Sequence, residues 1–145
     1  MTTGNPLEIA IENRLESLES IYDGFEAFSN RVGLPDSMRR VLLLVVEELV
    51  TNTIRYGYAD GQTDNITIGL NLTEDAVHVI IRDHAKPFDV SKAKDEPEET
   101  SLEDMQVGGL GLFLVHQFAR SITNRRSGSE NVTEIELPMD AEAPD

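Results

Sequence analysis

The stretch Val41-Leu42-Leu43-Leu44-Val45-Val46-Glu47-Glu48-Leu49-Val50-Thr51-Asn52-Thr53-Ile54 decides how the rest of the chain is read. Val41, Leu42, Leu44, Val45, Val46, Leu49 and Ile54 cover most of the circumference of a helix predicted over residues 35–56. A helix that is apolar all round is buried, which makes this the expected central helix of the domain. Glu48 and Asn52 interrupt it. They lie four residues apart, on the same stripe as Val41, Leu44 and Val45. Burying a carboxylate and an amide without partners costs a few kcal/mol, so they need partners. The neighbouring Glu47 points about 100° away around the helix.

Working outward, Leu7, Ile9 and Ile11 alternate with polar residues and predict a short strand. Helical spacing follows over residues 13–31, through Leu15, Leu18, Tyr22, Phe25 and Phe28, with Gly24 a small cost inside it. Val32-Gly33-Leu34-Pro35-Asp36 reads as a turn, with Asp36 placed to favour the next helix start. Beyond the central helix, Gly57 offers a stop. Ile66, Ile68, Leu70 and Leu72 alternate, as do Val77, Val79 and Ile81, and the two runs read as an antiparallel hairpin. Residues 90–106 carry Pro97 and many acids and predict a long polar loop, the kind that serves as a lid or stays disordered. Gly108-Gly109-Leu110-Gly111 then opens an apolar helix through Leu112, Leu114, Val115, Phe118 and Ala119. Two final strands, 121–126 and 132–137, flank a Ser127-Gly128-Ser129-Glu130-Asn131 turn. This order predicts an α+β fold: a two-layer α/β sandwich whose mixed, mostly antiparallel sheet carries three main helices on one face. Residues 6–138 are expected to form a single domain and 139–145 an acidic tail.

Composition narrows the function. The 145 residues carry a formal net charge of −15 and no cysteine. Disulfides, thiolate metal sites and cysteine nucleophiles are excluded. Such acidity argues against non-specific nucleic-acid binding and against an anionic membrane, and it is compatible with a basic protein partner or with mere solubility. No run of about 18 apolar residues is present, and the first five residues do not resemble a secretory signal. A cytoplasmic protein is expected. Any phosphate ligand would need local positive potential from helix N-termini, backbone amides, a metal ion or a few Lys and Arg.

Three features could carry chemistry. Asn52 offers a carbonyl oxygen suited to Mg²⁺, and Glu48 could take a proton from an attacking hydroxyl. Asp83, at the end of a strand and before His84-Ala85-Lys86-Pro87-Phe88-Asp89, could accept a hydrogen bond from an exocyclic amine. Gly108-Gly109-Leu110-Gly111 could bring backbone amides close to phosphate at a helix start. Read singly, each has a plainer explanation: Glu48 facing solvent at an edge or both Glu48 and Asn52 satisfying nearby loop backbone, a turn aspartate, and a glycine hinge. The Gly cluster lacks the Gly-Lys-Ser/Thr ending of a P-loop.

Taken in order, these residues resemble the three ATP-binding boxes of the gyrase and histidine-kinase ATPase superfamily. Glu48-Leu49-Val50-Thr51-Asn52 looks like the first box, residues 83–88 like the second, and Gly109-Leu110-Gly111-Leu112 like the third. Thr133 matches a threonine that the superfamily places near the nucleotide. The resemblance spans about residues 7–137, and it is nearest to the anti-sigma serine kinases of bacterial partner-switching systems. It rests on the short domain, the Glu48–Asn52 spacing, Pro87-Phe88-Asp89, and Gly108 to Leu112 followed by a short helix. It implies a histidine-kinase-like ATPase fold with ATP and Mg²⁺ as cofactors. It implies Glu48 as base on a serine hydroxyl, Asn52 as the Mg²⁺ ligand and Asp83 as the reader of adenine. The nucleotide would further be lined by Ala85, Gly108, Gly109, Leu110, Gly111, Leu112 and Thr133. The implied partners are a STAS-type anti-sigma-factor antagonist and a sigma factor or equivalent target, and the implied assembly is a homodimer. One position departs from the pattern: the second box usually has glycine where Ala85 stands, so its methyl either narrows the adenine pocket or is tolerated.

The competing readings are an ATP-binding module that sequesters a partner without kinase activity, a detached catalytic half of a histidine kinase, and a gyrase-type ATPase. Histidine kinases usually carry asparagine where Glu48 stands. The gyrase type draws a lysine from a further domain.

Overall fold

The computed structural model describes residues 6–87 and 115–140. Its elements are β1 (Leu7–Glu12), a 3-10 turn (Leu15–Ser17), α1 (Leu18–Val32), α2 (Asp36–Tyr56), β2 (Asn65–Leu72), β3 (Ala76–Asp83), β4 (Ser121–Ser127) and β5 (Glu130–Pro138). Residues 115–118 are helical, and Val115 reaches the core. The predicted third helix is described only over those residues; its Gly-rich start and the loop at 90–106 lie outside the described residues.

The five strands form one sheet in the order β1-β2-β3-β5-β4. Every described ladder is antiparallel. Because side chains alternate between faces, the register lines up rows across the sheet. Leu7, Leu70, Val79, Ile135 and Ile122 form one apolar row. The next row begins apolar, with Ile9, Ile68 and Ile81, and ends polar, with Thr133 and Asn124. In the row after that, Asp83 faces Asn131 and Asn131 faces Arg126. The sheet face that is core at one end therefore turns polar where β3 finishes.

The core brings Ile21, Phe25 and Phe28 of α1 and Met38, Val41, Leu42, Val45, Val46, Leu49 and Val50 of α2 together with the inward residues of β2, β3 and β5. α2 is less enclosed than its sequence suggests: Leu43, Leu44, Glu47 and Glu48 are only half-buried. Gly24 is a close approach rather than a simple cost. A Cβ there would fall 2.4 Å from Cδ1 of Ile9, so its absence seats α1 on β1. The first helix starts later than the periodicity predicts, because Asn13 is used elsewhere. Its amide donates to the Gln62 carbonyl and accepts from the Asp64 N–H, tying the end of β1 to the loop before β2. Asp36 is the first residue of α2 and makes no capping bond; its charge there suits the helix dipole.

Candidate nucleotide-binding site

A cavity of about 200 Å³ opens where α2 ends against the polar end of the sheet. Leu49, Asn52, Thr53 and Tyr56 line it from α2, Ile81 and Asp83 from β3, and Asn124, Asn131 and Thr133 from β4 and β5. Gly57, Ala85 and Lys86 complete the described wall. The sequence-predicted residues Asn52, Asp83, Ala85 and Thr133 are thus brought together. Gly108, Gly109, Leu110, Gly111 and Leu112 lie outside the described residues.

Asn52 reaches this wall because it sits one turn from the end of the helix that packs on β3. Its Nδ2 atom is buried and has no hydrogen-bond partner among the described residues. A buried amide left unsatisfied costs about 1–3 kcal/mol, so a ligand or a water that bonded this atom would be favoured. A half-turn about the Cβ–Cγ bond exchanges the two ends, so the same site can offer a donor or a carbonyl oxygen.

Asp83 is buried at the end of β3. Its Oδ1 accepts the Ala85 N–H at 3.0 Å and the Asn131 amide at 2.8 Å. Burial pushes its carboxyl above the ordinary range, while the donors from Asn131 and Ala85 pull it back. Thr133 is also buried, and its hydroxyl accepts from the Asn124 amide at 2.9 Å. Ala85 is held on both sides: its carbonyl accepts from Asn131 at 2.8 Å and from Arg126 at 3.2 Å. The Lys86 N–H donates to the Gly57 carbonyl at 2.9 Å, joining this loop to the end of α2.

Glu48 is half-buried one turn before Asn52 and is not among the described residues lining the cavity. Burial, then repulsion from Glu47, raises its carboxyl above the usual value, and Arg55 opposes this. Glu47 is turned to α1, where it takes the Tyr22 hydroxyl. The two adjacent acids are therefore separated by helix geometry, as their 100° offset requires.

The sequence family described as histidine kinase-like ATPase domain matches residues 11–137. The chain belongs to that family. Among curated relatives, the serine-protein kinase RsbW of Oceanobacillus iheyensis is 32% identical over 123 residues, covering 77% of each chain. The serine/threonine-protein kinase BtrW of Bordetella bronchiseptica is 30% identical over 97 residues, covering 66% of this chain and 68% of that protein. These relatives place the chain with the anti-sigma serine kinases of the histidine kinase-like ATPase family. The crystal structure of the RsbU and RsbW domains of Rv1364c from Mycobacterium tuberculosis superimposes with a TM-score of 0.63 at 13% identity. It covers 98% of this chain and 35% of that one, and it supports the fold alone. ATP is the nucleotide of the histidine kinase-like ATPase family.

Sequence reasoning missed Asn131, Arg126 and Asn124. The run Ser127-Gly128-Ser129-Glu130-Asn131 has turn composition throughout, yet the turn is only Gly128 and Ser129. Gly128 has φ 63°, as tight hairpin turns demand, so Asn131 already belongs to β5 and points inward. Two-residue alternation carried back from Leu137 through Ile135 and Thr133 reaches Asn131, and that signal could have found it.

No helix among the described residues is long and apolar enough to cross a membrane. The described residues also hold no cluster of three His, Cys, Asp or Glu side chains able to bind a metal ion.

Proposed function

We propose that residues 6–138 form one ATP-binding domain that transfers the γ-phosphoryl group of ATP to a serine of a protein partner. The observation that carries this reading is the cavity walled by Asn52, Asp83 and Thr133, with a buried amide atom of Asn52 awaiting a partner. Asp83 would read adenine with Oδ2, the oxygen that the bonds from Ala85 and Asn131 do not occupy. Lys86, on the same wall, supplies a positive charge that an otherwise acidic chain needs near phosphate.

Mg²⁺ would be held from the protein by the Asn52 carbonyl oxygen, since this ion commonly takes few protein ligands, and it would supply neutralisation of phosphate charge. The serine Oγ attacks Pγ, the bond from Pγ to the bridging oxygen breaks, and its electron pair leaves with ADP. Glu48 accepts the serine proton. Its carboxyl, raised by burial, makes it a better base than an exposed glutamate, and it lies one helical turn before Asn52 on α2.

The partner we propose is a STAS-type anti-sigma-factor antagonist, with a sigma factor or equivalent target bound in alternation, by a homodimer acting in the cytoplasm. Membership of the anti-sigma serine kinase group supports this, and the net charge of −15 is compatible with a basic partner. The test is phosphate transfer from labelled Mg-ATP to a single-serine antagonist domain. Glu48→Gln should slow transfer by ~10²–10⁴, the usual worth of a general base, with ATP binding retained. Glu47→Gln, on the α1 side, should be nearly silent. If the wild-type protein binds ATP and its target but leaves the antagonist unmodified, the chain is a sequestering module instead. If Glu47→Gln is the dead variant, the base is misassigned.

A further inference from the structure

Among the described residues, Asn131 is the most heavily bonded polar side chain at the cavity, and the phosphoryl-transfer reading gives it no role. It is 6% exposed. In the sheet register it stands opposite Asp83 on one side and opposite Arg126 on the other. Its Nδ2 donates to Asp83 Oδ1 and to the Ala85 carbonyl, both at 2.8 Å. Its Oδ1 accepts from Arg126 Nη1 at 2.8 Å. The neighbours fix which way the amide points. A guanidinium can only donate and must face the oxygen, while an ionised carboxylate and a carbonyl can only accept and must face the nitrogen. Arg126 also bonds the Ala85 carbonyl at 3.2 Å, so the guanidinium, the amide and the loop after β3 form one closed set.

We propose that Asn131 is the positioning residue for base recognition: by holding Asp83 Oδ1 it turns Oδ2 to the base and sets the preference for adenine over guanine. This rests on the reading that the cavity takes the nucleobase. An ionised carboxylate oxygen accepts from the exocyclic amine of adenine. Guanine presents a carbonyl oxygen at the corresponding ring position, and two acceptors repel. The discrimination survives only while Asp83 stays charged and in one orientation, and both conditions depend on the two donors at Oδ1, the Ala85 N–H and the Asn131 amide, of which only the amide can be removed by a side-chain change. Buried polar sites of this kind reject the wrong partner strongly, because the mismatched groups are left unpaired.

The test compares ATP and GTP binding by calorimetry for wild type, Asn131→Asp and Arg126→Gln, with thermal unfolding as a check on folding. Asn131→Asp keeps the shape and replaces two N–H donors by an acceptor. At pH 8 its ATP affinity should fall by ~10–100-fold, the loss of a charge-assisted bond, and the ATP-to-GTP ratio should fall with it. Two carboxylates at one site share a proton as pH falls, and the shared proton restores a donor bond at Oδ1. The affinity of the variant relative to wild type should therefore recover between pH 8 and pH 5.5. Among the described residues, Asp64, His84 and the Tyr58 hydroxyl also face Asp83, and Arg126 faces position 131; all are present in the wild-type control at each pH. Arg126→Gln, on an exposed strand position, frees the amide to turn and should lower the ATP-to-GTP ratio by a smaller factor. A merely structural Asn131 would lower thermal stability and leave both the ratio and its pH profile unmoved. That result, or a wild type without preference for ATP over GTP, overturns the proposal alone. Failure of wild type to bind either nucleotide overturns the assignment of the cavity as well.

Discussion

Gly57 and Ala85 meet where α2 ends against the loop after β3, and each should tolerate its present size only because of the other. A Cβ built on Gly57 would lie 2.7 Å from the Ala85 Cβ and 2.6 Å from the Thr53 carbonyl oxygen. Non-bonded carbon atoms do not approach so closely, and the Thr53 oxygen belongs to rigid helix backbone. Gly57→Ala should therefore cost about 1–3 kcal/mol, as overpacking does. Ala85→Gly loses a buried methyl worth about 0.8 kcal/mol and frees the unfolded backbone by about 0.5–1 kcal/mol more. The double variant moves the methyl from one side of the contact to the other. It should recover on the order of 1 kcal/mol of the summed cost, with the clash at the Thr53 oxygen remaining. Urea unfolding of the four proteins measures the coupling, provided the slopes agree. If the two single costs add to within about 0.5 kcal/mol, the methyls do not compete and the contact has been misread. The same series settles the departure from the glycine usual at this position. Ala85→Gly should bind ATP equally or more tightly, because the methyl is used against Gly57, and a clear loss of affinity would show that it also shapes the cavity.

Three further outcomes are expected. Asp83→Asn presents an amide where an acceptor is needed and should weaken ATP binding by ~1.5–3 kcal/mol in calorimetry; equal affinity would displace the base from Asp83. Glu48→Gln should raise the melting temperature at pH 7. The Glu48 pKa in the folded state lies above its ordinary value of 4.5, so ionised Glu48 destabilises the fold at neutral pH. The advantage of the variant should shrink as pH falls through the folded pKa and vanish well below 4.5, where the acid is protonated in both states, and an advantage that persists there would point to another cause. Asp64 carries the opposite sign. Burial would raise its carboxyl, but donors from the Tyr58 hydroxyl, His84 and the Asn65 N–H hold it below 3.8. Asp64→Asn should lower stability at pH 7, and its deficit against wild type should narrow as pH falls below 3.8 and the wild-type carboxyl takes up its proton. A deficit unchanged down to pH 2 would refute the charge as its source.

The sequence by itself determined the order of the described elements, the strand pairing of β2 with β3, and the candidates Asn52 and Asp83, while Thr133 entered only through the family resemblance. Their signals are local: period 2 in Ile66, Ile68 and Leu70, period 3.6 in Val41 to Leu49, and a carboxylate and an amide on a stripe that is otherwise apolar. The fold family was legible for the same reason, since spaced polar residues on known elements survive in one dimension. What only the tertiary structure decided is which polar groups share a site. Asn131 reads as a turn residue and Arg126 as a strand end in sequence, and they join Asp83 because antiparallel pairing of β3, β5 and β4 places the three in one row. Gly57 and Ala85 are 28 positions apart, and no pattern along the chain reveals that one makes room for the other. Side-chain periodicity reports which face a residue occupies; which residues meet across that face depends on strand order and register, and these are fixed only when the sheet closes on its core.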